Sequence, residues 1–433
     1  MRKLLAIAVL LSLLPLAVVS CADEGYADER SVKLDFSTDT LSFDTVFTTV
    51  GTVTQQVRVY NRTSSDIELA SVTLKHGRQS RFRLNVDGDT SMVARHIELQ
   101  AGDSLFIFVQ ANIDPNNESE PFIRTDSIVF SNGQYLPLAA WGRNAVYHRI
   151  PAGDDTSWFC RIDCAAFHDA DRPHVFLDPA AVLDGNTLTL LPGDELHFAD
   201  GAMLIIDSNA TLIARGSAEQ PVLFTSLRHD PWYRSMPGQW QTVWFYNYST
   251  GNVIDHAVVE NATGGLRCYP GSQLTVSNTV VRNCSDAGII GQDATVNGRN
   301  LLVYDCFSPV VLIGGGSYSF DACTFADYWN YRDHTRDTAA VVISNYYLLS
   351  PSVAYAADLS ASFNDCIVYG TWTRGEVAVT QLEGYAMDTL FTHSLVRGGA
   401  WDEDPLFTDP YNDDYTLQPG SPATGIGYDF DNR

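Results

Sequence analysis

The sequence predicts an all-β protein in two parts, a β-sandwich followed by a right-handed, single-stranded parallel β-helix. Three observations carry this. Period-two runs such as Ile67 to Leu74, broken by polar turns and with no helical period, fill residues 33–148. Further on, Val259-Glu260-Asn261, Val281-Arg282-Asn283, Val303-Tyr304-Asp305 and Phe325-Ala326-Asp327 recur every 22 residues. Between these regions, from Thr187 onward, short apolar strands alternate with gaps that carry Gly, Asn or Asp.

In chain order, Arg2 and Lys3 open an apolar run from Leu4 to Val19, and the small Ser20 precedes Cys21. That is the order of a secretory signal, and the apolar run is short for a membrane-spanning helix. Val18-Val19-Ser20-Cys21 resembles the lipobox of bacterial lipoprotein precursors. The resemblance implies that residues 1–20 are removed, that Cys21 carries lipid, and that residues 21–32 form a tether to the membrane. Ala22-Asp23-Glu24 is similar to the short acidic signal that sends lipoproteins of Bacteroidota-type bacteria to the cell surface, although a plain solvated tether accounts for the same residues. Display on the outer membrane is the resulting expectation.

For residues 33–148, Gln56 to Tyr60, Ile67 to Leu74, Ser104 to Val109 and Ser127 to Phe130 read as strands, with Asn132-Gly133 as a hairpin turn. Val59-Tyr60-Asn61 and the polar turn after it resemble the immunoglobulin-like modules of surface lipoproteins, which implies an immunoglobulin-like β-sandwich.

Residues 149–400 are assigned to the β-helix. A period of 22 suits one coil of three short strands, and equivalent residues of successive coils stack about 4.8 Å apart. Val259, Val281, Val303 and Phe325 are expected in one inward column, with Ala257, Thr279, Leu301 and Cys323 beside it. Glu260, Arg282 and Tyr304 should point outward. Asn261, Asn283, Asp305 and Asp327 should sit at bends, where Asn and Asp tolerate left-handed backbone. The pattern resumes at Cys366-Ile367-Val368 and at Ser394-Leu395-Val396. Residues 401–433 are expected to cap the helix. Glu219 to Thr225, Ile254 to Asn261, Asp404 to Phe407 and Leu417 to Ala423 resemble pectin-lyase-like β-helix proteins. With the lipobox and the sandwich, the whole chain is similar to a group of Bacteroidota surface lipoproteins.

Charge narrows the partners. Residues 1–150 hold 14 Lys+Arg against 17 Asp+Glu, and residues 151–433 hold 13 against 35, a net of −22. Such a body repels nucleic acid and acidic polymers. Lysine occurs only at positions 3, 33 and 75, which excludes lysine-base lyase chemistry in the solenoid, and no Gly-His-Gly segment of the polygalacturonase type is present. Arg282 and Arg299 read as solvated surface residues. The segment from Tyr328 to Ser360 reads as one long excursion, in which Trp329, Tyr331, Arg332, His334 and Arg336 gather rings and hydrogen-bond donors suited to a sugar. His229 to Arg234, with Trp240 and Trp244, form a second such cluster, in which Trp244 is expected to pack and Trp232 and Tyr233 to be exposed. Cys284 and Cys306 lie 22 apart, and Cys323 and Cys366 share a column, so each pair is a candidate disulfide, with buried thiol ladders as the equal alternative. No cofactor is implied. Asp402-Glu403-Asp404, Asp409 and Asp413-Asp414 offer oxygens to calcium without the full EF-hand spacing. The expectation is a non-catalytic display protein that binds glycan or protein, with a polysaccharide-active lyase or hydrolase as the alternative.

Overall fold

The computed structural model describes residues 25–48, 54–114, 122–168, 172–228, 233–328 and 338–432. It is all-β and divides into two compact units between Asn144 and Ala145.

The first unit contains β1 (Asp35–Phe36), β2 (Leu41–Phe47), β3 (Gln55–Tyr60), β4 (Ile67–Leu74), β5 (Phe82–Val86), β6 (Val93–Leu99), β7 (Ser104–Ala111), β8 (Phe122–Phe130) and β9 (Tyr135–Arg143). They form two sheets, ordered β1-β3-β7-β5 and β2-β9-β8-β4-β6. Alternation decides what faces in. On β7, Leu105, Ile107 and Val109 are buried while Phe106 and Phe108 are exposed. Val57 and Val59 of one sheet share a core with Leu69, Ile128 and Leu138 of the other. The turn expected at Asn132-Gly133 forms, with Gly133 at φ 93° and its N–H donating to Phe130 O at 3.0 Å.

The second unit is a solenoid of parallel strands that visits three faces in turn. The first face runs from Val146–His148 through His174–Phe176, Glu195–Phe198, Val222–Ser226, Ala257–Glu260, Thr324–Asp327 and Ile367–Gly370 to Leu395–Val396. The second runs from Cys160–Arg161 through Leu204–Ile206, Val243–Phe245 and Gly264–Cys268 to Val341–Ser344 and Val377–Thr380. The third runs from Thr187–Leu190 through Thr211–Arg215 and Asn252–Asp255 to Leu359–Asn364 and Met387–Thr392. In the middle coils, Gln273–Arg282, Ala287–Tyr304 and Ser308–Asp321 stay extended around the corners and serve more than one face.

The 22-residue repeat is one coil. Val259 pairs with Val281, Val281 with Val303, and Val303 with Phe325, and all four are fully buried. Ala257, Thr279, Leu301 and Cys323 are buried beside them. Asn261, Asn283 and Asp305 take φ of 65°, 55° and 48° at the bend, and Asn283 Nδ2 donates to Asn261 Oδ1 at 2.6 Å. Asp327 differs. It ends a strand and is buried, because a longer excursion follows where the earlier coils make a tight bend. Rings also stack coil on coil. Phe320, Phe363 and Phe391 lie 5.2 and 4.5 Å apart, nearly parallel.

Two expectations change. The stretch from Tyr328 to Ser360 is not one excursion, because Val341–Ser344 returns to the second face and an antiparallel hairpin, Tyr346–Ser350 with Val353–Ala356, follows. The C-terminal segment does not close the end of the solenoid but lies along its first face. There Phe407, Tyr415, Ala423, Ile426 and Tyr428 pack on Leu302, Tyr304, Ala326, Ile367 and Leu395. Tyr304 points outward as expected, yet this strap buries it.

Candidate functional site

The three faces present different surfaces. The strap covers much of the first. The third is polar in its middle coils, with Thr275, Asn297 and Ser319 exposed and stacked in register. On the second face the outward column reads Ile205, Trp244, Arg267, Ile290, Val311, Val342 and Ala378, apolar except for one arginine. An outward apolar column must be covered by the chain itself or by a ligand.

Excursions flank this face on both sides. At its corner with the first face the chain leaves after Ser226 and returns at Val243, leaves after Asp327 and returns at Val341, and leaves after Gly370 and returns at Val377. Both loops singled out in the sequence thus spring from one edge. Trp329, Tyr331, Arg332, His334, Arg336 and Trp232 lie outside the described residues, as does Cys21. Tyr233 is half-buried, with the Arg228 guanidinium carbon 3.0 Å from its ring centre and Gln239 Nε2 donating to its carbonyl at 2.6 Å.

At the opposite corner, Trp244, which the sequence assigns to packing, clusters with Tyr246 and Tyr269, which the sequence reading passed over. Trp244 meets Tyr246 and Tyr269 edge-on, with centroids 5.2 and 4.9 Å away. Tyr246 and Tyr269 lie 6.3 Å apart and 30° from parallel. They extend the paired strands ending at Phe245 and Cys268, one coil apart, and that 23-residue separation was the available signal. Tyr246 is 39% exposed and neighbouring Tyr248 63%. Arg267, next to Trp244 in the outward column, reaches back over Gly264 toward the corner with the first face, where its Nη2 meets Asp286 Oδ2 at 3.1 Å. Trp244 Nε1 and Arg267 Nε are out of solvent and have no hydrogen-bond partner among the described residues, an arrangement that costs about 1–3 kcal/mol per group. Tyr355 donates to the Asp293 carboxylate, which pushes its phenol up to about 12.

The remaining candidates are structural. Arg282 is not a free surface residue: its Nε and Nη2 donate to Glu260 Oε2 at 2.9 and 2.7 Å, and its Nη1 to Tyr304 at 2.9 Å. Arg299 pairs with Asp321 at 3.7 Å. Burial, then the neighbouring Asp413, pushes Asp305 up to about 7, a value suited to general acid chemistry. Asp305 is half-buried, however, and its carboxylate is engaged by the strap, accepting from Tyr415 at 3.2 Å. The candidate disulfides are free thiols, Cys284 beside Cys306 and Cys323 beside Cys366. Each Sγ lies in the core against the carbonyl two residues back, at 3.2–3.6 Å. Among the described residues, no three acidic, histidine or cysteine side chains converge on one point.

The chain matches no known family and no curated protein. Among solved structures it is similar to a family 123 glycoside hydrolase from Clostridium perfringens at 4% identity, over 27% of this chain and 30% of that one, with a TM-score of 0.19. It is also similar to the catalytic domain of a family 87 α-1,3-glucanase in complex with tetrasaccharides. That match has 9% identity over 78% of this chain and 82% of the other, with a TM-score of 0.22. Overlaps this loose assign neither family nor function.

Proposed function

We propose that the protein is a lipid-anchored lipoprotein of the bacterial cell surface whose solenoid binds neutral glycan without cleaving it. The observation that carries the binding is the Trp244, Tyr246 and Tyr269 cluster beside the apolar column of the second face. Tyrosine and tryptophan rings offer flat apolar area with polar edges, which suits the faces and hydroxyls of a sugar. Neutral glycan is favoured because a body of net charge −22 repels acidic polymers. The tripartite segment ending at Cys21 supports the anchor. The split of β1 and β2 between the two sheets supports an immunoglobulin-like first unit, and the near-universal hand of parallel crossovers supports a right-handed solenoid.

The test is to pass the chain from Ala22 onward over a panel of polysaccharides. Retention by a neutral polysaccharide, without new reducing ends or unsaturated sugars, is expected. Product that disappears on substituting Arg332, His334 or Arg336 would replace this reading with an enzyme. For the anchor, Cys21→Ala should release the protein from membranes, and a variant still bound after a salt wash would overturn it.

A further inference from the structure

Where the second face gives way to the third, successive coils turn through left-handed backbone. Tyr248, Gly271, Asp293 and Gly314, one in each of four coils, take φ of 62°, 72°, 48° and 77°. The two glycines leave room for rings that belong to neighbouring coils. Tyr248, 63% exposed, lies over Gly271 of the next coil, where a Cβ would come within 2.5 Å of its ring. Tyr347 lies over Gly314 at the same distance, with the Tyr355 ring beside it, 5.3 Å between centroids.

Tyr347 and Tyr355 come from the hairpin Tyr346–Ser350 and Val353–Ala356, which replaces the tight turn in the following coil. Its base is fixed. Ala357 N donates to Asn345 O at 3.1 Å, and the Asn345 side chain accepts from Leu382 N at 2.7 Å. The hairpin lies back along the corner, and Tyr355 reaches one coil beyond Gly314 to donate to Asp293. The Asp293 hydrogen bond, then burial, Tyr347 and Tyr248, raise the Tyr355 phenol, so Tyr248 approaches Tyr355 from the other side. With Tyr246 and Tyr269, which neighbour one another in the first two of these coils, the rings form one row along the corner. At about 4.8 Å per coil the row spans about 14 Å.

We propose that this corner is an extended subsite, along which one linear neutral glycan chain lies parallel to the solenoid axis across four coils. The inference rests on the glycan-binding reading above and adds the form of the ligand, a run of about four sugar units engaged along its length. The rise of one coil is close to the length of one pyranose unit in an extended chain, so successive rings meet successive sugars. Each ring presents a flat apolar face with a hydroxyl at its edge, and Asp293 places a carboxylate acceptor within the row. Residues 345–357 contain no charged side chain, so the hairpin adds its two rings without adding charge. Just past the corner, the exposed Gln273 and Ser317 begin the polar third face, while the apolar column lies on the other side. A chain with apolar ring faces and hydroxylated edges matches both flanks.

The experiment is titration calorimetry of the chain from Ala22 onward with cello-, manno- and xylo-oligosaccharides of two, four and six units. It compares the parent, Tyr347→Ala with Tyr355→Ala, and Tyr248→Ala. In the parent, affinity for at least one series should rise at least tenfold from two units to four and change little beyond. Both variants should bind the four-unit sugar at least tenfold more weakly, with unchanged circular dichroism spectra. Tyr248 lies outside the hairpin, so its variant decides the matter even where the hairpin pair disturbs the fold. A parent that binds two and six units alike, a parent that binds none of the three series, or a Tyr248→Ala variant that binds four units as the parent does would overturn the proposal. A chain that no polysaccharide retains fails the reading on which this rests, whereas one that retains a polysaccharide without this dependence on length fails the present inference alone.

Discussion

At single residues, the solenoid is held by columns in which each side chain depends on the coils above and below. Phe325 is fully buried between Val303 and Val368 and meets Phe320 and Phe363 edge-on. Phe325→Ala should cost about 3–5 kcal/mol, read by thermal or chemical denaturation. The opening coils carry a pH dependence. His148 Nε2 and His174 Nδ1 share a hydrogen bond of 2.9 Å among Phe167 and Phe176. Burial lowers His148 from 6.5 to about 4 and His174 to about 3. The unfolded chain therefore binds protons that the folded chain refuses. Stability should fall as pH drops below 6.5, by on the order of 3 kcal/mol for His148 once pH is below 4. Melting curves between pH 7 and pH 4 measure this, and a flat profile would contradict it. The columns through Val259 and Ala257 were legible because core residues must repeat with the coil. The histidine stack was not, since its members lie in irregular first coils with no period to align them.

The strap is the element that most changes the reading of the chain. Its hold on the first face includes the bond from Tyr415 to Asp305 and that from Tyr428 N to Thr324 Oγ1, 2.9 Å long. Asp305 is pushed up to about 7 in the folded chain against 3.8 in the open one. The folded chain thus keeps a proton that the unfolded chain has given up, and this contribution falls as pH rises through 7. Asp305→Asn should raise stability at pH 8, by on the order of 2 kcal/mol, and flatten that slope. Hydrogen exchange of residues 407–428 at pH 6 and pH 8 would show whether the strap itself loosens. The sequence placed residues 401–433 at the end of the solenoid because a tail that follows the last coil is simplest read as its lid. What directs them to the flank is the apolar outward set Leu302, Tyr304 and Ile367. Within a 22-residue repeat, those residues look like any other outward positions. The hairpin was hidden for a related reason. Val341–Ser344 is too short to interrupt what reads as one irregular stretch, and only its pairing with Ser308–Asp321 reveals a coil there.

Across the whole molecule, the charge divides as the sequence indicates, and the three faces divide the work of the solenoid. One is covered by its own tail, one is polar, and one carries the apolar column and its ring cluster. The loops selected from the sequence border the second face, which follows from chain order alone, since every long insertion must leave at a corner. The cluster itself was missed because Trp244 reads as core when its register is unknown. The direct measurement is titration calorimetry with the neutral polysaccharide that the panel retains. It would compare the parent chain, Tyr246→Ala with Tyr269→Ala, and Asn297→Ala with Ser319→Ala on the third face. Affinity should fall at least tenfold, about 1.4 kcal/mol, for the tyrosine pair alone. Equal affinity in all three proteins, or a loss confined to the third-face pair, would contradict the assignment of the binding surface.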